Sequence, residues 1–299
     1  MTNASASRGT TGFVVVFYRP DTDCVIRANR LCGFGPCVVV DNTERVVSAA
    51  SLGLDPSAIY IANGGNRGVG EAFNQGVERL IELGCEFAML FDQDSEPESE
   101  LLRGLPEVLA CELSSGKRVA LAGPAYDDRR LGGVVPFVRF GYFKLRRVPP
   151  TGTRPVDVDF LISSGSCLNL GAWREIGPMD EGLFIDFVDL EWCIRARAKG
   201  YAVLGVPTFR LSHELGGEPV RVFGRKYPGH NALRHYYMFR NAIALCKRRY
   251  VPLTWKSTEF VKLPVRLAIY AIFMTPRLDH LRMSLLGLWH GAIGRTGAR

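Results

Sequence analysis

The sequence lacks any apolar run long enough to cross a lipid bilayer. The longest one near the C-terminus, residues 267–274, is far shorter than the roughly 20 residues that a spanning helix needs. The first dozen residues are small and polar, without the basic start and continuous apolar stretch of a secretory signal. We therefore expect a flexible N-terminus over residues 1–12 and a cytoplasmic protein, either free or peripheral at the inner face of the plasma membrane.

Several cofactor motifs are also missing. The eight cysteines include no CxxC pair, and no Cys/His group has the spacing of a zinc site. We expect small buried thiols in a reducing compartment. The turn after the first predicted strand, residues 18–21, lacks GxGxxG, which excludes a nicotinamide oxidoreductase. It also lacks the Gly-rich basic loop that we would expect of a nucleotidyltransferase.

Charge is distributed unevenly along the 299 residues. The net charge is +7, yet from Arg221 onward there are 15 Lys/Arg against 2 Asp/Glu. Basic residues interleaved with aromatic and aliphatic ones indicate either attraction to anionic lipid or a lipid-diphosphate, or amphipathic helices packed on the main domain. Both readings stay open. No nucleic-acid partner is expected, because no recognisable reading motif accompanies the basic surface.

The hydrophobic pattern alternates between strand and helix, which predicts an α/β fold with a mostly parallel sheet. The alternation runs as far as a strand at 119–122. It is followed by an inserted extended segment, residues 132–150, and by a strand-like stretch, 158–170, that is broken at 163–165. The predicted strands are 13–17, 37–40, 58–62, 87–91, 119–122 and 201–206, and the predicted helices are 21–31, 69–83, 97–111, 186–199 and 231–249.

An acidic pair, Asp92 and Asp94, follows the fourth predicted strand. Carboxylates at i and i+2 can direct oxygens toward one Mg²⁺ or Mn²⁺ that keeps positions open for a diphosphate. The carboxyl end of a strand is also where open α/β sheets bind ligands. A simple polar loop is the alternative. An EF-hand is excluded, because its sixth and twelfth positions would be Pro97 and Arg103.

A second acidic group stands at the start of the helix predicted over 186–199. Asp186 and Asp189 are three residues apart and would share one face near the positive end of the helix. A carboxylate there could take a proton from a hydroxyl, or it could simply cap a solvated first turn. His213 stands before two glycines, and it is either a metal ligand or a structural side chain.

An ordered set of short segments extends over about residues 13–250. The segments are 38–42, 63–68, 74–76, 91–95, 162–165, 176–181, 184–192, His213 and 236–241. Their order resembles that of bacterial rhamnosyltransferases of glycosyltransferase family 2. Asp-Gln-Asp-Ser at 92–95, in place of the commoner Asp-Asp type of signature, favours the rhamnosyl members.

The resemblance implies a GT-A type α/β fold and a sugar transfer that inverts the configuration at the anomeric carbon. The catalytic domain would span 13–220, with a nucleotide-binding half at about 13–125 and an acceptor-binding half at about 126–220, followed by a basic helical region at 221–299. Asp92, Asp94 and His213 would bind Mg²⁺ or Mn²⁺, and Asp189 would be the catalytic base. The resemblance further assigns nucleotide and donor contacts to Tyr18, Pro20, Asp41, Asn66, Arg67, Gly68, Asp92 and Gln93, and a sugar or acceptor pocket to Ser164, Gly165, Asp186 and Trp192.

The implied reaction moves L-rhamnose from dTDP-rhamnose to a hydroxyl of a glycan or lipid-linked saccharide in cell-surface polysaccharide synthesis. Two alternatives stay open. One is a family 2 transferase with a UDP-sugar donor. The other is a non-catalytic protein that binds a sugar nucleotide and scaffolds a membrane complex.

Overall fold

The computed structural model describes residues 9–128, 133–142, 144–212, 217–222 and 224–299. Its strands, in chain order, are β1 (Thr11–Phe17), β2 (Cys37–Asp41), β3 (Ile59–Ala62), β4 (Phe87–Asp92), β5 (Val119–Asp128), β6 (Gly133–Val135), β7 (Phe137–Phe140), β8 (Leu145–Val148), β9 (Val156–Val158), β10 (Cys167–Asn169), β11 (Ala202–Ser212), β12 (Gly217–Val222) and β13 (Arg225–Gly229). The helices are α1 (Thr22–Cys32), α2 (Ala49–Leu52), α3 (Val69–Glu82), α4 (Ser99–Ser114), α5 (Leu170–Ile176), α6 (Val188–Ala198), α7 (Ala232–Cys246), α8 (Leu253–Phe273) and α9 (Arg277–Ile293).

One central sheet organises the first 212 residues. Within the described ranges it has nine strands, in the order β3-β2-β1-β4-β10-β5-β11-β9, with β6 paired to β5. The pairs among β1, β2, β3 and β4 are parallel, and so is β5 with β11. The predicted mostly parallel α/β sheet is therefore confirmed.

Antiparallel β10, between β4 and β5, is a feature that the sequence pattern does not predict. The chain reverses at Gly165, whose φ of 78° favours glycine. The N–H of Gly165 donates to the carbonyl of Leu90, and the N–H of Leu90 donates to the carbonyl of Ser166. This turn brings residues 162–164 beside the carboxyl end of β4.

Helices cover both faces of the sheet because the strands are apolar on both sides. In β1, Val14 packs with α3 on one face, whereas Phe13 and Val15 pack with α1 and α4 on the other. α5 and α6 join the α3 face. Gly76 lets α3 approach closely, since a Cβ there would overlap the side chain of Val14.

The C-terminal region packs as three helices against one another. α9 approaches α7 at Gly291, where a Cβ would lie 2.6 Å from the carbonyl oxygen of Arg240. The predicted domain boundary at 220/221 falls inside β12, so a hairpin of β12 and β13 precedes the helical part. None of the helices in the described ranges is long and apolar enough to cross a membrane.

Candidate functional site

A cleft of about 1070 Å³ opens at the carboxyl ends of β1 and β4. Four parts of the chain line it. The first is the strand ends with Asn66, Gly68 and Val69, and the second is residues 162–164. The third is the loop 184–189 before and within the first turn of α6, and the fourth is C-terminal residues around 229–234 and 273–280. Of the residues predicted from the sequence, the cleft is lined by Tyr18, Asn66, Gly68, Asp92, Gln93, Asp94, Ser164, Asp186 and Asp189.

Gln93 ties the end of β4 to the end of β1. Its side-chain oxygen accepts a hydrogen bond from the N–H of Tyr18 at 2.8 Å, and its carbonyl accepts one from Arg27 at 3.2 Å. The Tyr18 hydroxyl donates to Glu44 at 3.0 Å. Pro20, two residues after Tyr18, does not line the cleft. The two strand ends therefore form one fixed wall at this side of the cleft.

Asp41, which was expected to contact the nucleotide, does not line the cleft. It is buried at the end of β2, where it accepts hydrogen bonds from the N–H of Thr43 and the hydroxyl of Tyr60, both at 2.8 Å. Burial, reinforced by Asp41, raises the pKa of Tyr60. The next residue, Asn42, lines the cleft instead. Its side chain donates to the carbonyl of Gly68 and accepts from Asn63.

The Asn66–Gly68 segment forms the entry to α3. The N–H of Gly68 donates to the side chain of Asn66 at 3.0 Å, and the φ of Gly68 is 89°. A Cβ at Gly68 would lie 2.5 Å from the carbonyl oxygen of Phe184. Arg67 turns away from the cleft to pair with Glu71 at 3.2 Å. Glycine is therefore required where α3 meets the loop 184–189.

Asp92 and Asp94 line the same stretch of the cleft at the end of β4. The N–H of Asp92 donates to the hydroxyl of Ser164 at 3.4 Å, and that hydroxyl also contacts the hydroxyl of Ser95. Asp92 is partly buried, and Asp94 is exposed. His213 lies outside the described residues, and within them no group of three or more His, Cys, Asp or Glu side chains has the arrangement of a metal site. Two carboxylates with open space beside them fit a cation that takes its other ligands from a bound diphosphate.

The loop before α6 has an unusual backbone. Phe184, Asp186 and Phe187 have φ values of 65°, 62° and 65°, a region that L-residues rarely adopt. This conformation delays the helix, which begins at Val188 rather than at the predicted 186. Backbone strain of this kind persists only where surrounding contacts hold it.

Two side chains of α7 supply those contacts. The buried amide of Asn241 donates to the carbonyls of Leu183, Ile185 and Asp186 at 2.7–3.0 Å. Buried Arg240 donates to the carbonyls of Gly182 and Leu183 at 2.9 Å and orients Asn241 through a further hydrogen bond. The loop that leads into α6 is therefore positioned by α7.

Asp189 sits in the first turn of α6, at the floor of the cleft. Burial raises its pKa to about 6, and the negative charges of Asp92 and Asp186 add to the rise, while hydrogen bonds from the N–H groups of Leu190 and Ser163 oppose it. The Leu190 N–H lies 2.7 Å from Oδ1 of Asp189. A carboxylate with this pKa is ionised at neutral pH and can still accept a proton.

Asp186 is held by the C-terminal region. Arg234 contacts its carboxylate through Nε and Nη2, with distances of 3.1–3.3 Å. This ion pair offsets part of the charge of Asp186, whereas Asp189 has no ion pair among the described residues. The two aspartates, expected to share a helical face, therefore differ in environment.

The far end of the cleft carries residues that the sequence patterns do not single out. His230, Arg234, Thr275 and His280 line it. Burial, with Arg234 nearby, lowers the pKa of His230 to about 4. His230 is therefore neutral at pH 7, so it can exchange hydrogen bonds with hydroxyl groups. A sequence signal for these positions would require knowledge that α7 and the α8–α9 turn fold back onto the sheet.

Two residues predicted for the sugar or acceptor pocket lie elsewhere. Trp192 is 1% exposed, stacks on Trp173 with ring centroids 5.3 Å apart, and donates to the carbonyl of Gly177. It belongs to the core, because the face of α6 that carries it packs against the sheet. Gly165 forms the turn before β10 and does not line the cleft. Its neighbour Ser164 does.

Comparison with known proteins gives two relatives of nearly full length. The chain is 30% identical over 262 residues to a dTDP-rhamnosyl transferase, RfbF, of Shigella flexneri, covering 87% of each chain. It is 21% identical over 293 residues to a low-salt glycan biosynthesis hexosyltransferase, Agl10, of Haloferax volcanii, covering 95% of this chain and 91% of the relative. No family model matches the sequence.

Solved structures with a similar fold are glycosyltransferases of the GT-A type. A crystal structure of GalNAc-T7 with UDP, GalNAc and Mn²⁺ aligns with a TM-score of 0.54 at 16% identity, covering 85% of this chain and 54% of that one. This chain therefore spans about half the length of GalNAc-T7. A crystal structure of Staphylococcus aureus TarS residues 1–349 with UDP-GlcNAc also has a TM-score of 0.54, at 12% identity, covering 96% of this chain and 81% of that one.

Proposed function

The chain belongs to the glycosyltransferases of family 2, in the group of the bacterial rhamnosyltransferases, and on that premise we propose that it moves L-rhamnose from dTDP-rhamnose to a hydroxyl of a glycan or lipid-linked saccharide. The observation that carries the proposal is that Asp92, Asp94 and Asp189 line the same cleft. The choice of dTDP-rhamnose rests on the relative at 30% identity.

In this proposal the nucleotide occupies the end of the cleft formed by Tyr18, Asn42 and Asn66. Tyr18 is 38% exposed, so its ring is accessible to a base. Amide side chains can hydrogen-bond to the pyrimidine or the ribose. The N-terminal end of α3 adds a favourable environment for diphosphate, since the positive end of a helix dipole attracts anions.

Asp92 and Asp94 would hold Mg²⁺ or Mn²⁺, with His213 as a third ligand. Such a cation would neutralise charge on the leaving diphosphate. The support from the fold is the pair of carboxylates at the carboxyl end of a central parallel strand, where the hydroxyl of Ser164 accepts a hydrogen bond from the N–H of Asp92. The mutual negative charge of Asp92 and Asp189 also favours a cation in this cleft.

Asp189 would act as the base in a direct displacement. The acceptor oxygen attacks the anomeric carbon, its proton passes to the Asp189 carboxylate, and the bond from that carbon to the diphosphate oxygen breaks. The product is a glycoside of inverted configuration and free dTDP, with no covalent sugar intermediate. Since Asp186 is paired with Arg234, Asp189 is the better candidate for accepting the proton. Positioning of the two substrates and stabilisation of leaving-group charge supply the remaining catalysis.

Calorimetric titration of the full chain with dTDP, UDP and GDP, each with and without Mg²⁺ or Mn²⁺, tests the proposal. We expect the tightest binding for dTDP with the cation, and weaker binding in Asp92→Asn. The matched control is Glu98→Gln, an exposed carboxylate just beyond the cleft. A preference for UDP would favour a UDP-sugar donor. A preference for GDP, or cation-independent binding that Asp92→Asn leaves unchanged, would overturn the proposal.

A further inference from the structure

The solvent-facing side of α8 is almost entirely apolar. Leu253 is 80% exposed, Phe260 77% and Val261 68%, and Val265 and Ile272 follow at 52% and 54%. Leu253, Val261, Val265 and Ile272 follow one another at intervals of eight, four and seven residues, and Phe260 is next to Val261, so the side chains lie along one broad face of the helix. A helix on the surface of a water-soluble protein normally exposes charged side chains and buries apolar ones. In α8 the exposed side is apolar instead.

The charged residues of α8 lie on its protein side or flanks. Glu259 is 2% exposed and is paired with Arg266 at 2.6 Å and with Lys262 at 3.1 Å. Lys256 donates to the carbonyl of Arg248. Because these side chains are held in contacts with the protein, they do not interrupt the apolar outer face. Removing this face from water would be favourable in free energy.

α9 packs against α8 and also exposes apolar side chains, with basic residues among them. Leu278 is 80% exposed, Leu285 48%, Trp289 61% and Ile293 58%. Arg282 is exposed and falls between Leu278 and Leu285 on the same helical face. Exposed tryptophan and arginine beside aliphatic side chains are typical of helices that lie in the headgroup region of a bilayer. The two outer faces of α8 and α9 are called the C-terminal face below.

The charge of the C-terminal face complements an anionic surface. Residues 253–299 contain seven Lys/Arg and two Asp/Glu. Glu259 is buried against Lys262 and Arg266, and Lys256 is engaged with the carbonyl of Arg248. The exposed charges that remain are Arg277, Arg282, Arg295 and Arg299 against Asp279. Each Lys or Arg near an anionic membrane strengthens binding by about five-fold. A protein partner would need to match this combination of apolar and basic groups over two helices, whereas an anionic bilayer matches it without a specific shape.

The C-terminal face is continuous with the mouth of the cleft. Phe273, Thr275 and His280, in the turn that joins α8 to α9, line the cleft. Phe273 is 42% exposed and Ile272, beside it, is 54% exposed. A lipid-linked substrate could therefore keep its chain in the bilayer while its polar end enters the cleft past this turn.

We propose that the C-terminal face docks on an anionic lipid bilayer and turns the α8–α9 end of the cleft toward the headgroups. Docking itself follows from the helices. The assignment of a lipid-linked acceptor, rather than a soluble glycan, rests on the proposed function. In this orientation a lipid-linked acceptor would reach the cleft and Asp189 by diffusing laterally in the membrane.

Flotation of the full chain with vesicles tests the docking. One set is pure phosphatidylcholine and the other contains about one third phosphatidylglycerol. We expect the chain to float with the anionic vesicles, with fluorescence of Trp289 shifted to the blue, and to float weakly with the neutral ones. Phe260→Ser/Val261→Ser should lower the partition coefficient at least about ten-fold. Arg277→Gln/Arg282→Gln should lower it about 25-fold on anionic vesicles only.

The matched control is Ile26→Ser, which removes a side chain that is 60% exposed on α1, away from the C-terminal face. It should float as the unmodified chain does. Failure of the unmodified chain to float with either set would overturn the docking, as would a dimer in light scattering that Phe260→Ser/Val261→Ser converts to a monomer, because a second copy would then cover the face. Calorimetry with dTDP on the same variants separates the two proposals: the docking can fail while dTDP binding persists, and the reverse.

Discussion

Replacing Asp189 with asparagine removes a charge that the fold holds at a cost. The pKa of Asp189 is raised from an ordinary value of 3.8 to about 6, first of all by burial. A rise of about two units corresponds to about 3 kcal/mol, and access of solvent to this partly exposed side chain reduces the value to about 2 kcal/mol. Asparagine keeps one oxygen for the N–H of Leu190, so the substitution removes the charge and retains that hydrogen bond, while the N–H of Ser163 loses its charged acceptor.

The sign follows from proton binding. Between about pH 4 and 6 the folded chain holds a proton on Asp189 that the unfolded chain has lost, so this group lowers stability as pH rises through that window. Asp189→Asn should therefore be about 2 kcal/mol more stable than the unmodified chain at pH 8 and nearly equal to it at pH 4. Urea denaturation of both proteins without cation at the two pH values measures the difference.

The same substitution should remove catalysis. A positioned general base contributes about 10²–10⁴-fold, so kcat should fall by that factor while dTDP binding stays within about two-fold. Asp189→Asn that is less stable at pH 8, or equally more stable at both pH values, would refute the account of the buried charge. Near-normal turnover would remove Asp189 from the role of base.

Three further substitutions test the loop and the acidic pair. Gly68→Ala should lower turnover by about ten-fold or more, because the added Cβ displaces the carbonyl of Phe184. The control is Gly84→Ala, at a glycine with a similar φ of 77° and open space around it, which should cost only about 1 kcal/mol of stability. Equal turnover in the two variants would contradict this prediction. Asn241→Ala should destabilise the fold by about 2–4 kcal/mol in urea, because three carbonyls lose a buried donor, and a loss below about 1 kcal/mol would contradict the role of α7. Asp94→Asn, at an exposed position, should weaken cation-dependent dTDP binding in calorimetry without lowering the melting temperature, and an unchanged cation dependence would argue against it.

The parallel half of the fold follows from local patterns. The apolar runs of β1, β2, β3 and β4 are short and bounded by turn-forming residues, and the helical period of α3 is regular. Each signal is local, so it is legible in one chain. The extension of β11 beyond 206 is not, because Pro207 interrupts the pattern and the strand resumes pairing with β5 only after a register shift.

The acidic residues of the cleft could be predicted because they follow strands or open helices. Asn42, Arg234 and His230 could not, since their approach to the cleft depends on how distant elements pack. Asp41 and Trp192 had plausible positions in sequence, but the hydrogen bond from Tyr60 and the stacking on Trp173 direct them into the interior. Roles for Asp92, Asp94, His213 and Asp189 stay predictions.

The most direct test of the central claim is a transfer assay with dTDP-rhamnose and a lipid extract from the cells that make the protein. Chromatography measures the dTDP that is released. We predict release that requires both the extract and Mg²⁺ or Mn²⁺, is accompanied by transfer of rhamnose to extract components, and is lost in Asp189→Asn. Binding of dTDP-rhamnose without any release under these conditions would contradict the claim and support a protein that binds a sugar nucleotide without catalysing transfer.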